Sequence, residues 1–123
     1  MAYAGIFIIK EGKILLQFRD NSPNITWPNS WAIFGGGIEK GETPRQAIVR
    51  ELQEELDLKI ENPELVLKNK FKGETRYTFK QEIKDTSTLK LKEGKEMKFF
   101  SKEEILNLKN TVPSVKKLVK KLL

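Results

Sequence analysis

From Gly35 to Leu58 the chain runs through three consecutive glycines and a proline-started segment into "RELQEEL", and no other stretch restricts its folding so tightly. Thr43 followed by Pro44 predicts a helix start: a side chain that caps free amides, then a proline at the first helical position, where a missing N–H costs nothing. The helix is predicted to end at about Leu56 or Asp57. On a helical wheel Ile48, Val49, Leu52 and Leu56 form the core-facing stripe, and Glu51, Glu54 and Glu55 gather on another side, three and four residues apart. Like charges at those spacings destabilise a helix by roughly 0.2–0.5 kcal/mol per pair, and acids near its C-terminus oppose the macrodipole. Arg50, four residues before Glu54, pairs with it but leaves Glu51 and Glu55 uncompensated.

Two readings of the triplet compete. One is a solvated acidic face; the other is a site for a hard cation such as Mg²⁺ or Mn²⁺, which takes carboxylate oxygens without needing His or Cys. The preceding residues favour the second. Gly35, Gly36, Gly37 and Gly41 predict a loop whose backbone can approach a cation or a phosphate closely, and Ala47 leaves room on the carboxylate side.

Composition narrows the chemistry further. The chain has neither cysteine nor histidine, which excludes disulfides, thiolate nucleophiles and the commonest metal ligand. At 123 residues, 38% hydrophobic and 33% charged, it suits one soluble globular domain spanning 1–123. Its longest early apolar run, residues 4–9, is far short of the roughly 20 residues that cross a bilayer, so no membrane is expected and the default location is cytoplasmic. Lys109, Lys116, Lys117, Lys120 and Lys121, with no acid among them, account for all but one of the net +6. Val115, Leu118, Val119 and Leu122 share one face of that last segment, predicting a docked C-terminal helix. The competing reading is a basic amphipathic helix that touches nucleic acid or anionic lipid.

Residues 3–10 and 13–19 predict two strands joined at Glu11-Gly12, and 20–30 a loop rich in turn formers. Trp31 to Phe34 predicts a short strand entering the glycines. Further strands are predicted at 65–71, 75–83, 89–91 and 97–100, then a short helix capped by Ser101 with Glu104 three residues on. Mostly antiparallel strands with one helix after the third and another at the end argue α+β.

Gly36, Glu42, Arg50-Glu51-Leu52, Glu54-Glu55 and Leu58 stand at the fixed spacings of one known signature, and on these residues the chain resembles the Nudix hydrolases. The signature occupies 36–58, and only Asp57 departs, where the family has glycine. The helix ends there in what is expected to be a left-handed conformation, which Asp tolerates better than most residues. The resemblance implies the Nudix fold, a mixed sheet with helices on both sides. It implies hydrolysis of nucleoside diphosphates linked to another group, with Mg²⁺ or Mn²⁺ as cofactor.

Carried over residue by residue, the resemblance makes Glu54 and Glu55 metal ligands and Glu51 a ligand or a base, with the Gly35 or Gly36 carbonyl completing the shell. Arg50 orients the carboxylates and Glu42 braces the loop. The bound cation activates a water, and Glu51 or Glu93 takes its proton, Glu93 standing before the aromatic strand at the MutT-type distance from Phe99, with Glu96 second to it. Arg19 occupies the place of a phosphate-binding arginine, and Gly37, Trp31, Tyr77 and, with them, Trp27 and Phe79 are substrate-side candidates. No coenzyme A signature precedes the box and no "SQPWPFPxS" follows it; Lys72 and Gly73 stand where ADP-ribose members have proline. A MutT-type (d)NTP or oxidised (d)NTP pyrophosphohydrolase, monomeric or homodimeric, is therefore expected. The alternatives are a nucleotide-sugar or dinucleotide polyphosphate hydrolase and a non-catalytic nucleotide- or RNA-binding module.

Overall fold

The structure, a computed structural model, describes residues 2–19, 28–87, 89–92 and 96–123. Strands β1 (Ala2–Lys10) and β2 (Lys13–Phe18) form the predicted hairpin, with Ile9 opposite Ile14. Its turn, Glu11-Gly12, has φ of 50° and 77°, the two left-handed residues that match the twist of a two-residue hairpin. Lys72-Gly73 repeats this, with φ of 50° and 78°, between β5 (Glu64–Phe71) and β6 (Glu74–Glu82). β6 lies parallel to β1 with Tyr3 opposite Arg76, so the sheet is mixed. β3 (Trp31–Ala32) and β7 (Glu96–Phe100) both pair antiparallel with β2.

Alternation along β1 and β2 sends side chains to two cores, one on each face of the sheet. Ala4, Ile6, Ile8 and Leu15 pack with Ile48, Leu52 and Leu56 of α1 (Pro44–Leu56). Phe7, Ile9, Ile14 and Leu16 pack with Ile105 of α2 (Lys102–Asn107) and with Val115 and Val119 of α3 (Pro113–Leu122). The C-terminal helix is thus docked, its apolar stripe inside. Each fully buried large side chain here contributes about 1.5–3 kcal/mol by leaving water.

The N-caps of α1 and α2 follow from local chemistry. Thr43 with Gln46, and Ser101 with Glu104, form reciprocal capping boxes. Asp57 takes the left-handed position after α1, φ 54° and ψ 33°.

Three predictions from sequence need correction. Gly35, Gly36 and Gly37 belong to a strand, β4 (Phe34–Gly37), paired with β1 through Gly5–Gly35, Ala4–Gly36 and Tyr3–Gly37. Their bareness serves close approach: a Cβ on Gly35 would collide with the Ala4 carbonyl and with Gly5 Cα at 2.7 Å. Residues 89–91 form no strand. Lys90 and Lys92 instead donate their amides to the Leu56 and Glu55 carbonyls at 3.0 and 2.9 Å, satisfying acceptors that the end of α1 leaves open. Finally, the buried stripe of α1 is Ala47, Ile48, Leu52, Glu55 and Leu56, with Val49 only part-buried, so the helix is rolled toward its acidic side.

Gly35→Ala is expected to destabilise the fold by about 1–3 kcal/mol, as overpacking does, whereas Gly37→Ala, whose Cβ would meet nothing within 4 Å, is expected to cost much less. Urea melts of the two variants check the contrast.

Candidate active site

Arg50 organises the acidic end of the molecule. Its Nε and Nη2 donate to the two oxygens of Glu42 at 2.7 and 3.0 Å, a bidentate grip. Nη1 donates to Glu51 at 3.0 Å and to Glu54 at 3.3 Å, and Nη2 also donates to the Gly37 carbonyl at 3.1 Å. Glu42 in turn accepts from the Glu39 amide at 2.9 Å, closing a turn in which Gly41 holds φ 86°. The Arg50 hydrogen bonds, and after them the Glu39 amide, hold the Glu42 carboxyl below the usual carboxylate range. The same bond to Glu42 is the chief cause that raises the guanidinium above its ordinary value, against the opposing effect of burial.

The three glutamates, predicted as one surface patch, lie at three depths. Glu54 is exposed, with 57% of its side chain open to solvent. Glu51 is 16% exposed and its carboxylate lies directly over Gly36, where a Cβ would overlap it. Glu55 points inward, 4% exposed, accepting from Gln17 Nε2 of β2 at 3.4 Å. Arg50 touches Glu51 as well as Glu54, so Glu51 is less isolated than spacing alone predicts.

Three carboxylates in hydrogen-bond contact with one guanidinium leave the patch negative. The available donors are carboxylate oxygens and glycine carbonyls, the set that suits a hard dication. The glycine cradle that seats Glu51 fits the same chemistry. Among the described residues no three acidic side chains already converge on one point. Glu51, Glu54 and Glu55 match such an ion in the kind of donor they carry.

Beside this patch lies a cleft of about 400 Å³ between β1, β6 and the start of α3. Arg19 and Tyr77, both singled out from sequence, line it. So do Tyr3, Glu74, Arg76 and Leu118, which sequence reasoning missed. Tyr3 joins the two regions: burial first, then Glu55, pushes its hydroxyl up to about 12, while Arg19 and Arg76 pull it down. The buried Nε of Arg19 donates no hydrogen bond among the described residues.

Trp31 is not among the residues lining the cleft. Its ring is wedged edge-on between Phe18 and Phe100, with centroids 5.1 and 4.8 Å away, and its backbone bonds to Asn110 and Val112 steer the chain into α3. Gly37 reaches the site through its carbonyl on Arg50, whereas Phe79 is buried in the α1-side core. Glu93 and Trp27 lie outside the described residues.

The NUDIX domain model matches residues 1–122, and the chain belongs to the Nudix family. It is 31% identical over 109 residues to the uncharacterized Nudix hydrolase lin0387 of Listeria innocua, covering 83% of this chain and 63% of that one. Over 54 residues it is 39% identical to the nucleoside triphosphatase NudI of Enterobacter sp., covering 44% of this chain and 38% of that one. The chain thus spans less than two thirds of these curated relatives. The solution structure of the E. coli ORF135 protein superposes with a TM-score of 0.74 at 29% identity, covering 97% and 85% of the two chains. The MutT Nudix hydrolase of Burkholderia pseudomallei gives 0.75 at 18% identity, covering 99% and 97%, a likeness of fold. Among the described residues no helix is long and apolar enough to cross a membrane.

A carboxylate with a depressed folded pKa adds stability above its unfolded value and loses it as pH falls through the folded one. Glu42→Gln is therefore expected to lower Tm at pH 7. The gap to the parent is expected to narrow as pH drops below the ordinary 4.5, as thermal melts across pH 2.5–7.5 (about five steps) would show.

Proposed function

We propose that this protein is a divalent-metal-dependent hydrolase of nucleotides, cutting a (d)NTP or oxidised (d)NTP to the monophosphate and pyrophosphate. The observation that carries the reading is the graded set of glutamates fastened by Arg50 at the edge of a cleft that holds two arginines. The nucleoside triphosphatase name of the Enterobacter relative supports the substrate class.

In this reading Glu51, Glu54, Glu55 and the Gly36 carbonyl hold Mg²⁺ or Mn²⁺. When bound, the cation spreads the charge of the diphosphate and makes water acidic enough to attack phosphorus near neutral pH. Arg50 aims Glu51 and Glu54 through its hydrogen bonds to them, and Glu42 fixes Arg50. Arg19 faces the phosphates, and Ile33 and Leu118 of the cleft face the nucleoside, whereas the Tyr77 ring packs on the α1 side of the sheet. Water adds at phosphorus, one anhydride P–O bond breaks, and the proton passes to Glu93, or to Glu51 where it serves as base in place of ligand. Pyrophosphate leaves.

Phosphate release coupled to pyrophosphatase, across (d)NTPs, 8-oxo-dGTP, ADP-ribose, nucleotide sugars and dinucleotides, tests the proposal. Glu54→Gln is expected to cut kcat by about 10²-fold or more on the preferred triphosphate. Silence on the whole panel with both Mg²⁺ and Mn²⁺, or full activity in Glu54→Gln, would overturn it, and a preference for a nucleotide sugar or a dinucleotide would reassign the substrate.

Metal binding has a readout of its own. Mg²⁺ or Mn²⁺ at millimolar concentration is expected to raise the parent Tm and to leave that of the Glu51→Gln, Glu55→Gln double variant unmoved.

A further inference from the structure

Glu74 and Arg76 stand two residues apart on β6, which puts them on one side of the strand, and both line the cleft. They form an ion pair that stays open. Glu74 Oε1 is 3.6 Å from Arg76 Nε, too far for a hydrogen bond, and that buried Nε donates to nothing among the described residues. The guanidinium is nonetheless held in place: it lies 4.7 Å from the centre of the Phe71 ring and 6.0 Å from that of Tyr3. A planar fork of donors with its orientation fixed and its Nε unbonded among the described residues is a recognition element.

The carboxylate beside it decides what it recognises. A phosphate placed on Arg76 would also face Glu74 and be repelled, whereas Arg19, elsewhere in the same cleft, suits an anion better. A neutral group that offers acceptors to the fork and N–H donors to the carboxylate satisfies both residues at once. The edge of a nucleobase does this, and Ile33 and Leu118 supply apolar surface for its faces.

The four common bases differ in how well they match. Guanine presents N7 and O6 to the fork, and beside them N1–H and its amino group to the carboxylate. Cytosine presents O2 and N3 to the fork and its amino group to the carboxylate. Adenine gives the fork N7 alone and the carboxylate its amino group, and uracil gives the fork one oxygen and the carboxylate its N3–H, so each makes fewer bonds to the pair than guanine or cytosine in a site partly closed to water.

Resting on the nucleotide reading above, we propose that Glu74 and Arg76 are the base-reading pair of this protein. They select nucleotides whose base carries both an exocyclic oxygen and an exocyclic amino group, guanine or cytosine, over adenine and uracil.

Calorimetric binding of GTP, ITP, ATP, CTP and UTP in EDTA tests this without any bond being cleaved. Inosine differs from guanosine only by the missing amino group. GTP is expected to bind about tenfold tighter than ITP and ATP, and CTP about tenfold tighter than UTP. In Glu74→Gln the GTP-to-ITP ratio should collapse to within about twofold, and Arg76→Lys, which keeps the charge but loses the fork, should weaken GTP, CTP and ITP together. Ratios between nucleotides cancel any general loss of folded protein, and Tm confirms that both variants fold. Binding of all five within about twofold in the parent, ratios unchanged in both variants, or no binding at millimolar concentration would overturn the proposal. The ranking without hydrolysis of any substrate would sink the catalytic reading and leave this one standing; hydrolysis without the ranking would do the reverse.

Discussion

One guanidinium fastens together parts of the chain that would otherwise separate. Arg50 grips Glu42 on the loop, Glu51 and Glu54 on its own helix, and the Gly37 carbonyl on β4. Take it away and three carboxylates repel one another, the turn at Glu39–Glu42 loses its anchor, and the glycine strand is no longer tied to α1. Arginine suits the task because its donors lie in one plane and point several ways at once; a lysine ammonium would neutralise one neighbour and leave the others unaligned. The charge on the patch is offset only in part, and the surplus leaves this end of the molecule negative.

Glycine supplies the other half of this arrangement. Gly35 lets β4 pass close over the β1 backbone, and Gly36 leaves the volume that the Glu51 carboxylate fills. A flexible loop could not hold that carboxylate in register with the strand beneath it. The same glycines that look like punctuation in a sequence therefore act here as part of a rigid sheet, where close approach and not flexibility is what the missing side chain provides.

What was legible in the sequence was what depends on near neighbours. Thr43 and Ser101 as caps, Glu11-Gly12 as a hairpin turn, and Asp57 in the left-handed position each follow from a few adjacent residues. The acidic triplet was legible too, but not its depth. The burial of Glu55 depends on Gln17, thirty-eight residues away, and on how far α1 is rolled on the sheet. Trp31 was misread for a similar reason: its partners Phe18 and Phe100 come from two other strands. Residues 89–92 carry an apolar alternation that suits a strand, but the open carbonyls at the end of α1 claim their amides first.

The cleft was the least legible part, and the register of β1 explains why. Tyr3 pairs with Gly37 on one side and with Arg76 on the other, so β1 is the spacer between the acidic patch and the Glu74–Arg76 pair. Two strand spacings, roughly 10 Å, separate β4 from β6. That parallel pairing joins residues more than seventy positions apart and leaves no periodic trace in either segment. Its consequence is a separation fixed by the sheet itself: the acidic patch at β4 and α1, the Glu74–Arg76 pair on β6, and half-buried Tyr3 between them, which feels the charges of both. On the reading proposed above, a nucleotide lying across β1 would meet the carboxylates with its phosphates and the Glu74–Arg76 pair with its base. In that arrangement substitutions on β6 retune which base is held without disturbing the Arg50 network, because only β1 connects the two.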